Sequence, residues 1–449
     1  MSAIGMSSSV AYRTSVVENE EGASGDGPHV LDAGNFPEEH YKERMSPLRF
    51  RSRKFFLPFI IKETELLGRL QRKLRRPLLD IYFSWTASLA SHTFYATALP
   101  ITAWLGCTTF TRDLCFILGA GVYLSGFVKD YLCLPRPLSP PLYRITMSSY
   151  TTQEYGLPSS HSANATSVTL LCMFALFDVG NELSLTWLIT IGFSLTVYYF
   201  SLVFGRIYCG MHGFSDIAVG TIIGIVLFIF RRSFGEEWDA LLFSIGLDSG
   251  PSCLRLLSFI SFYLSLIYFH CEPIDGCPCI DDSISFIGVL MGLDISNWLS
   301  YYFDDGTSEF PTKIPYSYHE LGLSKTLLRL FFGVVSVALW KTFSKPVIKK
   351  SLEFFSKAFV PPLLVSENLR DGGASANFEQ IVQTLSYNDA TNRSKNSVGV
   401  NSKNNAERNV ASLGFRLNID VVTRIIVYVG IPLISLSGFS TMARWLHVY

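Results

Sequence analysis

Three short polar clusters interrupt an otherwise apolar chain, and their residue types suit the handling of a phosphate. The first runs Lys129-Asp130-Tyr131-Leu132-Cys133-Leu134-Pro135-Arg136-Pro137, the second Pro158-Ser159-Ser160-His161, and the third joins Gly205-Arg206 to His212 and Asp216. Lys129, Arg136 and Arg206 supply three cations for a group carrying about −1.5 to −2 charge, and arginine offers a planar fork to its oxygens. Pro135 and Pro137 should end a helix and hold Arg136 extended. Ser159 and Ser160 stand at a helix start, where unpaired N–H groups and hydroxyls can hold an anion. His212 and Asp216 are four apart, so a helix opened by Gly213 brings the carboxylate to the imidazole. Asp216 then sets the tautomer and leaves the other nitrogen of His212 free to attack phosphorus. His161 protonates the departing oxygen, and later takes a proton from the water that hydrolyses the phosphohistidine. The three cations can do what Mg²⁺ does elsewhere, and no carboxylate cluster suited to two metals accompanies them, so neither metal nor cofactor is expected.

Each cluster has a plainer explanation by itself. Lys129 beside Asp130 can be a snorkelling helix-end pair, Ser159 to His161 a helix cap, and Asp216 a partner of the helix dipole. Order, spacing and sidedness taken together favour a site.

The elements that must position these residues are membrane helices. The chain has 449 residues, 49% hydrophobic and only 16% charged, which points away from a soluble protein. Its 37 basic and 37 acidic residues cancel, so no overall field argues for a nucleic-acid partner. Apolar runs at 82–106, 112–129, 161–180, 184–205, 213–231, 253–270, 283–303, 326–344 and 420–444 predict an all-α, polytopic transmembrane bundle of about eight or nine spans. Two spans return a chain to the side it left, so all three clusters face one aqueous side.

Residues 1–45 read as a disordered polar tail without a cleavable signal, and 46–80 as a basic amphipathic segment on an anionic membrane surface. The transmembrane core is expected over 81–345, a juxtamembrane segment and disordered linker over 346–415, and a last membrane segment over 416–449. Among nine cysteines, Cys271, Cys277 and Cys279 crowd one polar loop and are expected as a disulfide or free thiols rather than metal ligands.

At the three clusters the chain resembles the type 2 phosphatidate phosphatase superfamily, which shares its site with vanadium haloperoxidases and bacterial acid phosphatases. That pattern is Lys, six residues, Arg-Pro; then Pro-Ser-Gly-His; then Ser-Arg, five residues, His, three residues, Asp. Lys129, Arg136 and Pro137 match in full; Ser160 replaces a glycine and Gly205 a serine. The resemblance implies His212 as nucleophile, Asp216 as its partner, His161 as acid, and Lys129, Arg136, Arg206 and Ser159 as the phosphate cradle. Segments 129–141, 155–166 and 204–213 look like the fungal sphingoid long-chain base phosphate phosphatases. That likeness implies a metal-independent hydrolase of dihydrosphingosine and phytosphingosine 1-phosphates in the endoplasmic reticulum membrane, with a lumenal site. The positive-inside rule, applied to Arg51–Arg76 and to Lys345, Lys349 and Lys350, predicts a cytosolic one. A lipid phosphotransferase or broader lipid phosphatase using the same site is the alternative, and a non-catalytic transporter or scaffold a third reading. Oligomeric state is not legible in the sequence.

Overall fold

The computed structural model describes residues 32–180, 182–243, 253–303, 314–359 and 418–446. Most of the tail and linker expected from composition lie outside these residues. Every described element is helical: α1 (Glu38–Arg44), α2 (Pro47–Leu74), α3 (Pro77–Ala87), α4 (His92–Trp104), α5 (Thr108–Leu132), α6 (Ser149–Thr152), α7 (Ser160–Asp178), α8 (Leu185–Tyr208) and α9 (Phe214–Phe243) form the first part. They are followed by α10 (Cys253–Tyr268), α11 (Cys279–Phe303), α12 (Tyr318–Phe359), α13 (Ile419–Pro432) and, after a π-helical turn, α14 (Phe439–Trp445).

All nine apolar runs are helical, but among the described residues only five helices are long and apolar enough to cross a membrane. These are Thr108–Leu132, Leu185–Tyr208, Phe214–Leu241, Tyr318–Phe355 and Ile419–Trp445. The expected first span is broken. A 3-10 turn follows Ala87, and Ser91 starts a new helix by accepting the Phe94 N–H at 3.2 Å.

α5, α7 and α9 form the centre of the bundle, with α8 against α7 and α11 between α5 and α13. The approach of α7 to α9 is set by two glycines one turn apart: a Cβ on Gly220 would stand 2.4 Å from Ser159 O, and one on Gly224 2.4 Å from Ala163 O. Without side chains at those positions the backbones touch, as small residues permit in membrane bundles. This contact brings the second polar cluster to the third. At the opposite end of α5, about 25 Å along the helix at 1.5 Å per residue, Arg112 pairs with Asp239 at 2.9 Å and Asp294 at 3.2 Å. Arg231 joins Asp239 to Asp113, both at 2.7 Å, so charges buried far from the clusters are mutually compensated.

Two sequence expectations change here. Residues 32–45 do not belong to a disordered tail: Tyr41 of α1 is fully buried and donates to Asp275 Oδ2 at 2.8 Å. The basic segment is only partly a membrane-facing helix. On α2, Phe55, Phe59, Ile61 and Leu66 are exposed, but Ile60 and Leu67 are buried, Ile60 packing with Leu132, Leu134 and Leu157. Arg49 donates to Asp130 O at 2.6 Å and Tyr131 O at 2.9 Å, and Arg53 donates to Cys133 O and Gly34 O. The physical reason is that α5 ends inside the protein at Cys133, in the left-handed conformation at φ 49°, and its last carbonyls need donors. Two of the predicted surface cations supply them.

In the cysteine loop, Cys277 and Cys279 are bridged and Cys271 takes no part in the bridge. Asp130 lies within 4.8 Å of both sulfurs, a third neighbour that the spacing of the cysteines does not reveal, although bridged sulfurs are not thiolate ligands.

Candidate active site

The three clusters meet at one end of the bundle. Lys129 on the last turn of α5 is buried. Beyond it, Gly156 N–H donates to Leu134 O at 2.9 Å, and a Cβ on Gly156 would stand 2.4 Å from Pro135 O. The chain entering α7 is thus laid directly against the Pro135–Pro137 segment, where Arg136 is 3% exposed. Arg136 Nη1 donates to Met211 O at 2.7 Å and contacts His212 Nε2 at 3.1 Å.

His212 precedes α9, which opens at Phe214 rather than Gly213, yet its contact to Asp216 forms. Nδ1 is 3.3 Å from Asp216 Oδ2, and the same oxygen accepts the Gly213 N–H at 2.9 Å. That second bond ties the carboxylate to the turn carrying the histidine. Arginine is only a donor, so Nε2 must be the acceptor and Nδ1 must carry the proton that Asp216 receives. The tautomer is therefore set from both sides. Burial, first, and the nearby Arg136, Lys129, Arg206 and His161 hold the His212 imidazole well below its ordinary value, so it is neutral. Burial also lowers the Arg136 guanidinium to about 10, with Glu154 opposing the shift.

Ser159 caps α7: its hydroxyl oxygen accepts the Ser162 N–H at 3.3 Å and its own N–H donates to Asp216 O at 3.0 Å. The hydroxyl oxygen is thus an acceptor in the helix start, and its O–H keeps the donor capacity expected to hold an anion. Ser160, His161 and Arg206 line a cleft of about 260 Å³. Arg206 is 5% exposed, and its Nε lacks a hydrogen-bond partner among the described residues. At Gly205, where the family pattern has serine, a Cβ would come 3.0 Å from the Phe83 ring. That ring occupies the space a serine side chain would enter.

Four participants were missed by sequence reasoning. Glu154 Oε2 sits 2.5 Å from Lys129 Nζ and 3.4 Å from Arg136 Nη2. Glu63 of α2 accepts the Ser215 N–H at 3.1 Å, capping α9 beside the His212–Asp216 pair from a segment read as membrane-bound. Asp282 and Asn164 line the cleft. Asn164, which opens the N-glycosylation sequon Asn164-Ala165-Thr166, is buried in α7 and so is no glycan acceptor. Only proximity to a cluster could have pointed to Glu154, and nothing local points to Glu63.

A helical membrane bundle with a neutral histidine, a carboxylate behind it and three buried cations before it defines a membrane protein with a built anion site. Residues 110–238 match the family model described as PAP2 superfamily. Over 327 residues the chain is 42% identical to a dihydrosphingosine 1-phosphate phosphatase of Saccharomyces cerevisiae, covering 70% of this chain and 75% of that one. A dihydrosphingosine 1-phosphate phosphatase of Schizosaccharomyces pombe is 36% identical, with 86% and 88% covered. Human sphingosine-1-phosphate phosphatase 2 is 26% identical, with 49% and 52% covered. The chain belongs to the PAP2 superfamily. No solved structure matches it.

Proposed function

We propose that this protein hydrolyses sphingoid long-chain base 1-phosphates, dihydrosphingosine and phytosphingosine 1-phosphate, to the free base and phosphate through a phosphohistidine. The observation that carries the reading is the 3.1 Å contact of Arg136 Nη1 with His212 Nε2, because a phosphate taken by Arg136 and Lys129 lies against the attacking nitrogen. His212 Nε2 forms the N–P bond as the P–O bond to the lipid breaks, and His161 gives its proton to the leaving oxygen. Water then attacks phosphorus, His161 takes the water's proton, and the P–N bond breaks. Lys129, Arg136 and Arg206 compensate the charge that builds on the phosphoryl oxygens, with Ser159 and Ser160 at the start of α7 completing the cradle.

A lipid substrate is supported by the cleft's neighbour. An apolar cavity of about 50 Å³ shares Tyr95 and Phe286 with it, so the cleft is walled on that side by apolar side chains against which a lipid chain can lie. The names of the two yeast relatives support the sphingoid base. The resemblance to the fungal enzymes supports residence in the endoplasmic reticulum membrane with a lumenal site.

The test is purified wild type and His212→Ala, each given a panel of lipid phosphates with EDTA present. Phosphate release by wild type alone, favouring sphingoid base phosphates over phosphatidate, is expected. Activity that EDTA abolishes, or that survives His212→Ala, refutes the mechanism. Phosphate appearing on an added alcohol instead of in solution makes the protein a phosphotransferase.

A further inference from the structure

The cradle of cations already holds an anion of the protein's own. Glu154 Oε2 is 2.5 Å from Lys129 Nζ and 3.4 Å from Arg136 Nη2, and Arg136 Nε donates to the Glu154 carbonyl at 2.9 Å. The Glu154 side chain is 12% exposed and lines the cleft that also holds His161 and Arg206. A phosphate needs the same N–H groups that this carboxylate now uses. Substrate binding is therefore an exchange, in which phosphate takes the cations and displaces the carboxylate.

A carboxylate so little exposed is costly to separate from its cations unless it finds another. A sphingoid base 1-phosphate brings one, since its ammonium sits on the carbon next to the one bearing the phosphate ester. Diacylglycerol phosphates and N-acylated sphingoid phosphates bring none. Asp282, on α11, lines the same cleft and adds a second carboxyl group to it.

Resting on the sphingoid reading above, we propose that Glu154 is an ammonium subsite: it fills the phosphate cradle at rest and, once displaced, binds the substrate's amine, which makes it the residue that selects free long-chain base phosphates. Substrates without an amine must displace the carboxylate and leave it unpaired. Selection thus arises as much from a penalty on the wrong lipid as from a bond to the right one.

The test compares full-length wild type, Glu154→Gln and Glu154→Asp in detergent micelles of fixed composition. The substrates are dihydrosphingosine 1-phosphate, its N-acetyl derivative and phosphatidate, and inorganic phosphate serves as inhibitor. In Glu154→Gln the ratio of kcat/KM for the amine over its N-acetyl derivative should fall on the order of 10- to 100-fold, the worth of one charge-assisted hydrogen bond. Inhibition by inorganic phosphate should strengthen, because no carboxylate competes for the cradle. Glu154→Asp should keep most of the preference. An unchanged ratio in Glu154→Gln overturns the proposal, as does an equal loss on all three substrates, which marks a residue that only organises Lys129 and Arg136. Equal loss of the preference in Glu154→Asp and Glu154→Gln also overturns it. If wild type does not hydrolyse dihydrosphingosine 1-phosphate at all, the substrate reading itself fails. Hydrolysis with an unaltered ratio refutes the subsite alone.

Discussion

Replacing Asp216 by Asn separates the charge of the candidate pair from its geometry. Both contacts of the carboxylate fall on Oδ2, to Gly213 N–H at 2.9 Å and to His212 Nδ1 at 3.3 Å, while buried Oδ1 has no partner among the described residues. An asparagine with its oxygen at the Oδ2 position keeps both bonds and the His212 tautomer. The flipped amide would set its NH₂ against the Gly213 N–H and is disfavoured. What disappears is a negative charge beside an imidazole that becomes positive as the N–P bond forms. Two unit charges about 4 Å apart at an effective dielectric near 20 interact by about 4 kcal/mol, an upper bound for a partly formed charge. A loss of about 2–4 kcal/mol in the transition state is about 30- to 1000-fold in kcat. KM should move little, because Asp216 lies behind His212 and not against the phosphate. Because Oδ1 is already without a partner, an NH₂ in its place exchanges one unpaired atom for another, so Tm should move little. The assay is phosphate release from dihydrosphingosine 1-phosphate under saturating substrate, with Tm read on the same preparation. A folded Asp216→Asn enzyme with kcat within about threefold of wild type, or one whose loss lies in KM, refutes the role assigned to the charge.

Two further outcomes follow from the same geometry. Because burial and its cationic neighbours hold His212 well below the ordinary histidine value, it stays unprotonated as pH falls past about 6.5. With the substrate dianion as reactive form, log kcat/KM should fall with slope one below about pH 6, from the phosphate's own second ionisation; a fall that starts near about 6.5 and steepens to slope two below about 6 would show His212 titrating normally. For sidedness, Gln153 is exposed beside the cleft, so Gln153→Cys in a background with the exposed Cys107 and Cys253 replaced by Ser should react, in sealed, cytosol-side-out microsomes, with a membrane-impermeant maleimide only after permeabilisation. Labelling of the sealed vesicles would place the site on the cytosolic face.

Much of the site is legible in the sequence because its chemistry is written in short spacings. The four-residue step from His212 to Asp216, the prolines around Arg136 and the serines opening α7 each act within one turn, where backbone geometry leaves little choice. Counting spans puts the three clusters on one side, and the structure brings them into contact, Arg136 to His212 and Ser159 to Asp216. The expectations that changed depended on long-range partners. Arg49 and Arg53 look like surface cations until the end of α5 is seen to need donors, and the apolar run at 82–106 looks continuous until Ser91 is seen to start a new helix.

The amino-acid sequence by itself determined the membrane as solvent, the helical class, and the histidine, aspartate and three cations of the candidate anion site. These follow from composition and from residue types at local spacing. Only the tertiary structure decided that Glu154 occupies the cradle, that Glu63 of α2 caps α9, and that Phe83 stands where the family pattern places a serine side chain at position 205. The first joins segments laid against each other at Gly156, the second joins α2 to α9 and the third α3 to α8, and none of these approaches has a signature in spacing along the chain.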